Sequence, residues 1–212
     1  MIDLFGIHDF TLFLLSSLIF IATPGIDAMF VLSRSISNGR ASGMAASAGI
    51  ATGAFVHTIL STIGLSIILS QSVVLFTAIK IIGGIYLVYI GIKSLLKKSE
   101  GVSLKNVSNV SNKKHFVQGV ITNVANPKNI LFYLSFLPQF ASTNNGTGSL
   151  SFLLLGSTFA VIVLVWYVLV TYFSTLATKA IRDNKTFNSI LNKISGVVFI
   201  ALGWKLIVAK PN

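Results

Sequence analysis

The sequence predicts an all-α integral membrane protein: six transmembrane helices arranged as two inverted three-helix repeats, with helices one and four broken at midplane. Three observations predict it. Charged residues make up 10% of the chain and its mean hydropathy is +0.83, against about 25% charged residues in soluble domains. Six apolar stretches are long enough to cross a bilayer. Basic residues collect in alternate loops, so the net charge of +11 is explained by loop position and not by nucleic-acid binding. With no cysteine, a disulfide scaffold, an iron–sulfur site and a thiolate metal site are excluded, and nothing in the sequence implies a cofactor.

The spans fall at about 9–33, 43–69, 72–96, 115–140, 150–177 and 189–208. The first runs from Phe10 to Ser33 and is interrupted at Pro24, which lacks a backbone donor. The N-terminus carries Asp3 and Asp9, no basic residue and no A-x-A site, so this run reads as a span and not as a cleaved signal. Arg34, Asn38, Gly39 and Arg40 make the turn that follows. The second span opens with small residues, and Gly49 and Gly53, four apart, let helix backbones approach closely. That stripe is compatible with a homodimer without requiring one. Ser70-Gln71-Ser72 is an uncharged turn, and the third span carries Lys80 and ends in Lys93, Lys97 and Lys98. Glu100 to Lys114 is polar, contains the tandem NVSNVSN, and reads as a linker between halves. The fourth span holds a second break and ends near Leu137-Pro138-Gln139; Ser142 to Ser149 is an uncharged turn. The fifth span, from Leu150 to about Ala177, is followed by Lys179, Arg182, Asp183 and Lys185, and the sixth ends at Lys205 to Lys210. The loops after spans one, three and five hold the basic residues, which places both termini outside.

An internal repeat runs through this order. Ala22-Thr23-Pro24 is echoed by Ala125-Asn126-Pro127, and Gly84, Gly91 and Lys93 share their spacing with Gly196, Gly203 and Lys205. The single domain 1–212 therefore divides into a repeat at 1–98, a linker at 99–114 and a repeat at 115–212. Three spans per repeat make the second copy enter from the opposite side. Inverted repeats of this kind are common in secondary transporters, whose substrate sites lie at midplane breaks of matching helices.

The breaks carry the chemistry. Asn126 reads as an N-cap with Pro127 at the first helical position, and Thr23 and Pro24 read the same way upstream. Asp27 and Lys128 are the charges well inside the spans, and each needs a partner there. Lys128 lies at the positive end of its half-helix, which points to an anion nearby, either Asp27 or a substrate carboxylate. Asp27 would meet an ammonium, so the pair suits a zwitterion. Asn123, Asn126 and Asn129 add amide donors and acceptors at spacing three. His57 is a candidate proton relay, because imidazole changes charge near neutral pH; a packed neutral ring is the alternative. Asp27 is the better candidate for the titrating group, since burial favours the neutral form of a carboxylate. Phe132, Tyr133, Phe136, Trp166 and Tyr167 read as packing or interfacial residues.

At these residues the chain resembles the LysE/RhtB family of bacterial amino-acid exporters. Thr23-Pro24-Gly25-Ile26-Asp27 is similar to that family's Pro-Gly-Pro-Asp stretch, with Ile26 in place of the second proline. Gly39, Gly43, Gly49 and Gly53 follow, then Gly83-Gly84-Ile85-Tyr86-Leu87, Asn126-Pro127-Lys128 and Leu137-Pro138-Gln139-Phe140. The resemblance implies export of an amino acid or derivative, of the threonine, homoserine, neutral or basic class, across a bacterial cytoplasmic membrane by proton exchange. It carries Pro24, Gly25, Asp27, Asn126, Pro127 and Lys128 over as the central site. A cation or metal exporter and a passive channel are the alternatives; the lack of cysteine, with three histidines and three methionines, argues against a soft metal. An intramembrane enzyme would need a catalytic cluster such as Gly-x-Ser-x-Gly, and the spans hold none.

Overall fold

Apolar runs become helices here, and the interruptions fall at glycine, proline or short polar turns. The computed structural model describes residues 5–23, 25–71, 73–96, 111–141 and 148–176, with 193, 197, 200, 201, 203, 204, 207 and 208 singly. Pro24, most of the expected linker and much of the sixth expected span lie outside the described residues. In order, the helices are α1 (Phe10–Ala22), α2 (Ile26–Asn38), α3 (Arg40–Gln71), α4 (Val73–Leu96), α5 (Asn112–Val124), α6 (Pro127–Leu131) and α7 (Gly148–Leu176). Between α6 and α7 lie a π-helical turn at Phe132–Phe136 and a 3-10 turn at Leu137–Phe140.

Several boundaries differ from the sequence reading. The turn expected at 34–40 shrinks to Gly39, whose φ of +84° reverses the chain in one residue, so α3 starts at Arg40. The fourth expected span is not one helix with a single break. Pro127 restarts it, and the π turn then adds a residue to the backbone ring before Pro138 brings in the 3-10 turn. Among the described residues, two helices are long and apolar enough to cross a membrane alone, Arg40–Gly64 and Gly148–Ser174. The pair α1–α2, bent by 57° at the break, makes a third when counted as one span.

Helix α3 is the central post, packed on α5 along one side and α7 along another. Gly49 and Gly53 face α5. A Cβ on Gly49 would overlap the Phe116 carbonyl, and one on Gly119 would lie 2.8 Å from the Ala46 carbonyl. The small-residue stripe is therefore filled within the chain. Helix α4 meets the π turn at Gly83, where a Cβ would overlap Ser135, and meets Gly203 through Gly84. Phe20, Phe132 and Phe159 stack at the centre, with 4.3 Å between the first two ring centroids and 4.2 Å between the last two. The expected packing residues Phe132, Tyr133, Phe136 and Tyr167 are all buried in this core.

The two ends of the bundle differ. At one, Ser42 donates to Asn112 (3.0 Å) and Arg40 lies over the Tyr172 ring, gathering Arg34, Arg40, Lys113 and Lys114 at the same end. At the other, residues 5–9 form a strap. His8 donates its backbone N–H to the Phe140 carbonyl, its Nε2 meets the Gln139 carbonyl at 2.7 Å, and the Ser151 hydroxyl donates to Phe5.

Candidate functional site

The site forms where the two helix breaks cross. Helix α5 ends at Val124, Ala125 stays helical, and Asn126 turns extended as the N-cap of α6. Its side-chain oxygen accepts from the Lys128 N–H at 3.0 Å, and Pro127 takes the first helical position, where its missing donor does no harm. At the other break the expected cap is corrected. Thr23 closes α1, and its hydroxyl donates back to the Ile19 carbonyl at 2.9 Å, one of the acceptors a helix end leaves open. Gly25 is the N-cap of α2, with no side chain to accept a hydrogen bond. Its extended backbone (φ −143°) is open to any residue. Asp27 is the second residue of α2, where the helix dipole favours its charge.

Asp27 is 3% exposed and is held by three amides from across the crossing. Asn123 and Asn129 donate to Oδ2 at 2.9 and 2.8 Å, and Asn126 donates to Oδ1 at 3.1 Å. The asparagines, spaced by three, come from both sides of the second break and converge on one carboxylate.

Lys128 has the expected anion nearby, since the Asp27 charge acts on it, and its ammonium also donates to two backbone carbonyls, Phe20 at 2.9 Å and Thr23 at 3.2 Å, and sits 4.3 Å from the Phe20 ring centroid. The negative end of α1 thus adds hydrogen-bond acceptors to the charge of Asp27. The signal for this was available, since any break leaves orphan carbonyls as well as orphan amides; the choice of partner helix was not. Each half thus supplies one charge and receives its counterpart from the other, Asp27 by asparagine amides and Lys128 by α1 carbonyls.

His57 lies beside this cluster. Its Nε2 meets the Asn123 carbonyl at 3.3 Å and its ring stacks on Tyr133. The Phe20 ring lies against the ammonium and packs on Phe132, an apolar wall beside the site. The structure thus brings together Thr23, Gly25, Asp27, His57, Asn123, Asn126, Pro127, Lys128 and Asn129; Pro24 lies outside the described residues.

Interrupted helices that meet at a buried, charged centre define a membrane-embedded translocator. The chain belongs to the LysE type translocator family, which it matches over residues 18–210. It is 30% identical over 207 residues to the uncharacterized membrane protein YrhP of Bacillus subtilis, covering 93% of this chain and 98% of that one. It is 28% identical over 205 residues to the leucine efflux protein of Klebsiella pneumoniae, covering 95% and 96%. No solved structure matches it.

Proposed function

We propose that this protein is a secondary transporter that exports an amino acid from the cytoplasm in exchange for protons. One observation carries the reading: the crossing already holds the complement of a zwitterion. Asp27 accepts three N–H bonds from amides, the number an α-ammonium group supplies, and Lys128 donates to carbonyl oxygens as it would to a carboxylate. A substrate ammonium replaces the asparagine amides on Asp27. Its carboxylate draws Lys128 from the end of α1 and takes up the freed amides. The bonds that tie α1–α2 to α5–α6 are thereby exchanged for bonds to substrate, and the halves can move apart.

A proton and an ammonium compete for the same carboxylate. Protonation of Asp27 at the outer face releases substrate, and loss of that proton inside restores the site, which is antiport. In this reading the chain spans the cytoplasmic membrane six times as two inverted repeats, with both termini outside. The cationic end around Arg34, Arg40, Lys113 and Lys114 supports placing that end in the cytoplasm. The leucine efflux relative and the Phe20–Phe132–Phe159 wall support a neutral, apolar side chain.

The test is leucine movement in proteoliposomes under an imposed pH gradient. Accumulation against the leucine gradient, lost in Asp27→Asn with the protein still folded, is the expected result. Flux that follows only the leucine gradient would make the protein a passive channel.

A further inference from the structure

The carbonyl of Asn123 is the joint on which the second break turns. It accepts the Asn126 N–H at 3.1 Å, the Asn129 side-chain amide at 3.3 Å and His57 Nε2 at 3.3 Å. The same residue's own amide holds Asp27. A ring nitrogen facing a carbonyl can only donate, so Nε2 carries hydrogen whether the imidazole is neutral or charged. The contact to the break therefore survives either protonation state.

The ring is also fixed in place. It stacks on Tyr133 with 5.2 Å between centroids, and the Tyr133 hydroxyl donates to the Ala54 carbonyl at 2.7 Å and meets the Thr58 hydroxyl at 3.2 Å. Helix α7 closes on Thr58 at Gly156, where a Cβ would lie 2.7 Å from the Thr58 hydroxyl. One turn earlier on α3, a Cβ on Gly53 would lie 2.7 Å from that of Asn123. Gly53 and His57 thus form a seat on α3 into which Asn123 fits. The titratable groups around the ring are Tyr133, which it stacks on, and Asp27, whose charge it feels from α2.

We infer that His57 is a positioning residue and not the proton carrier: its Nε2–H caps the end of α5 and keeps the asparagine amides aimed at Asp27. The inference rests on the transport reading above for one of its two readouts and stands apart from it for the other. Glutamine places a side-chain amide donor near the position of Nε2 but does not titrate; leucine keeps bulk and donates nothing.

The transport readout is pH-driven leucine accumulation in proteoliposomes. His57→Gln is expected to stay within about twofold of the parent at every pH, and His57→Leu to fall about tenfold, the scale of one buried hydrogen bond. The second readout needs no substrate: amide hydrogen exchange of a peptide covering 123–131 in detergent. There the Leu variant is expected to exchange about tenfold faster and the Gln variant like the parent. A Gln variant that keeps leucine counterflow but loses pH-driven accumulation would make His57 the proton carrier and overturn the inference. So would Gln exchanging as fast as Leu, Leu matching the parent, or a Gln variant that does not assemble. If Leu does not assemble, the Gln variant alone decides. Absence of any leucine transport by the parent would sink the transport reading and leave the exchange comparison to judge the role of His57.

Discussion

The two breaks share a sequence pattern and differ in construction. The break at Ala125–Pro127 is capped by its own residues, with Asn126 as the cap and Pro127 starting the new helix, and the His57 imidazole of α3 covers the open end. The break at Thr23–Gly25 is not. Gly25 offers no capping side chain, the Thr23 hydroxyl turns back on α1, and the carbonyls of Phe20 and Thr23 are held by Lys128 from the other half. The charge at the first break depends on the second half as well, since Asn123, Asn126 and Asn129 hold Asp27. The second break carries its own cap, whereas the first takes its capping groups from the second half. In the proposed transport cycle the first break is therefore the part freed when a substrate takes over its contacts.

Substitutions should expose this asymmetry. The largest loss is expected at Lys128→Met, which uncaps α1 and leaves the Asp27 charge without a cation nearby. Removing one member of a buried charged arrangement costs about 3–5 kcal/mol. At about 2–4 °C per kcal/mol for a chain of this size, thermal unfolding in detergent should start roughly 10 °C lower. A shift of a degree or two would mean that α1 does not need the lysine.

Next come the asparagines. Asn129→Ala should cost about 2 kcal/mol, the scale of a hydrogen bond to a charged group. Asn126→Ala should cost about 1 kcal/mol more, because it also removes the α6 cap. Asn126→Ser keeps a capping oxygen and should recover that difference but not the Asp27 contact. Equal losses at positions 126 and 129 would deny the cap its role.

The smallest effects belong to the first break itself. A Cβ on Gly25 meets Lys128 only at 3.7 Å, an ordinary contact, and Thr23 bonds its own helix. Gly25→Ala and Thr23→Val should each change stability by less than about 1 kcal/mol. If either were as damaging as Asn126→Ala, the two breaks would be equal partners and the comparison would fail.

The sequence revealed what is local. Asn126 and Pro127 define their break because an Asx cap and a proline act within one turn. Asp27 and Lys128 stood out because charge inside an apolar run is rare. Thr23 fits an N-cap by sequence but closes α1 in the structure, since the same hydroxyl can serve the helix before it or the one after it. The partner of Lys128 depends on which helix end packs beside it, a tertiary fact that spacing does not encode. The π turn at 132–136 likewise packs Ser135 against Gly83, a contact between residues far apart in the chain.

The most direct test of the central claim is the double charge swap, Asp27→Lys with Lys128→Asp, measured for assembly by size-exclusion profile and thermal unfolding. Were the two charges held mainly by each other, the swap would restore what each single substitution loses. Here each charge is held by groups of fixed polarity, amide donors around position 27 and carbonyl acceptors around position 128. A lysine facing amides and an aspartate facing carbonyls are both mismatched. The account predicts that the double variant is no more stable than the worse single one, and a swap that assembles and unfolds like the parent would contradict it.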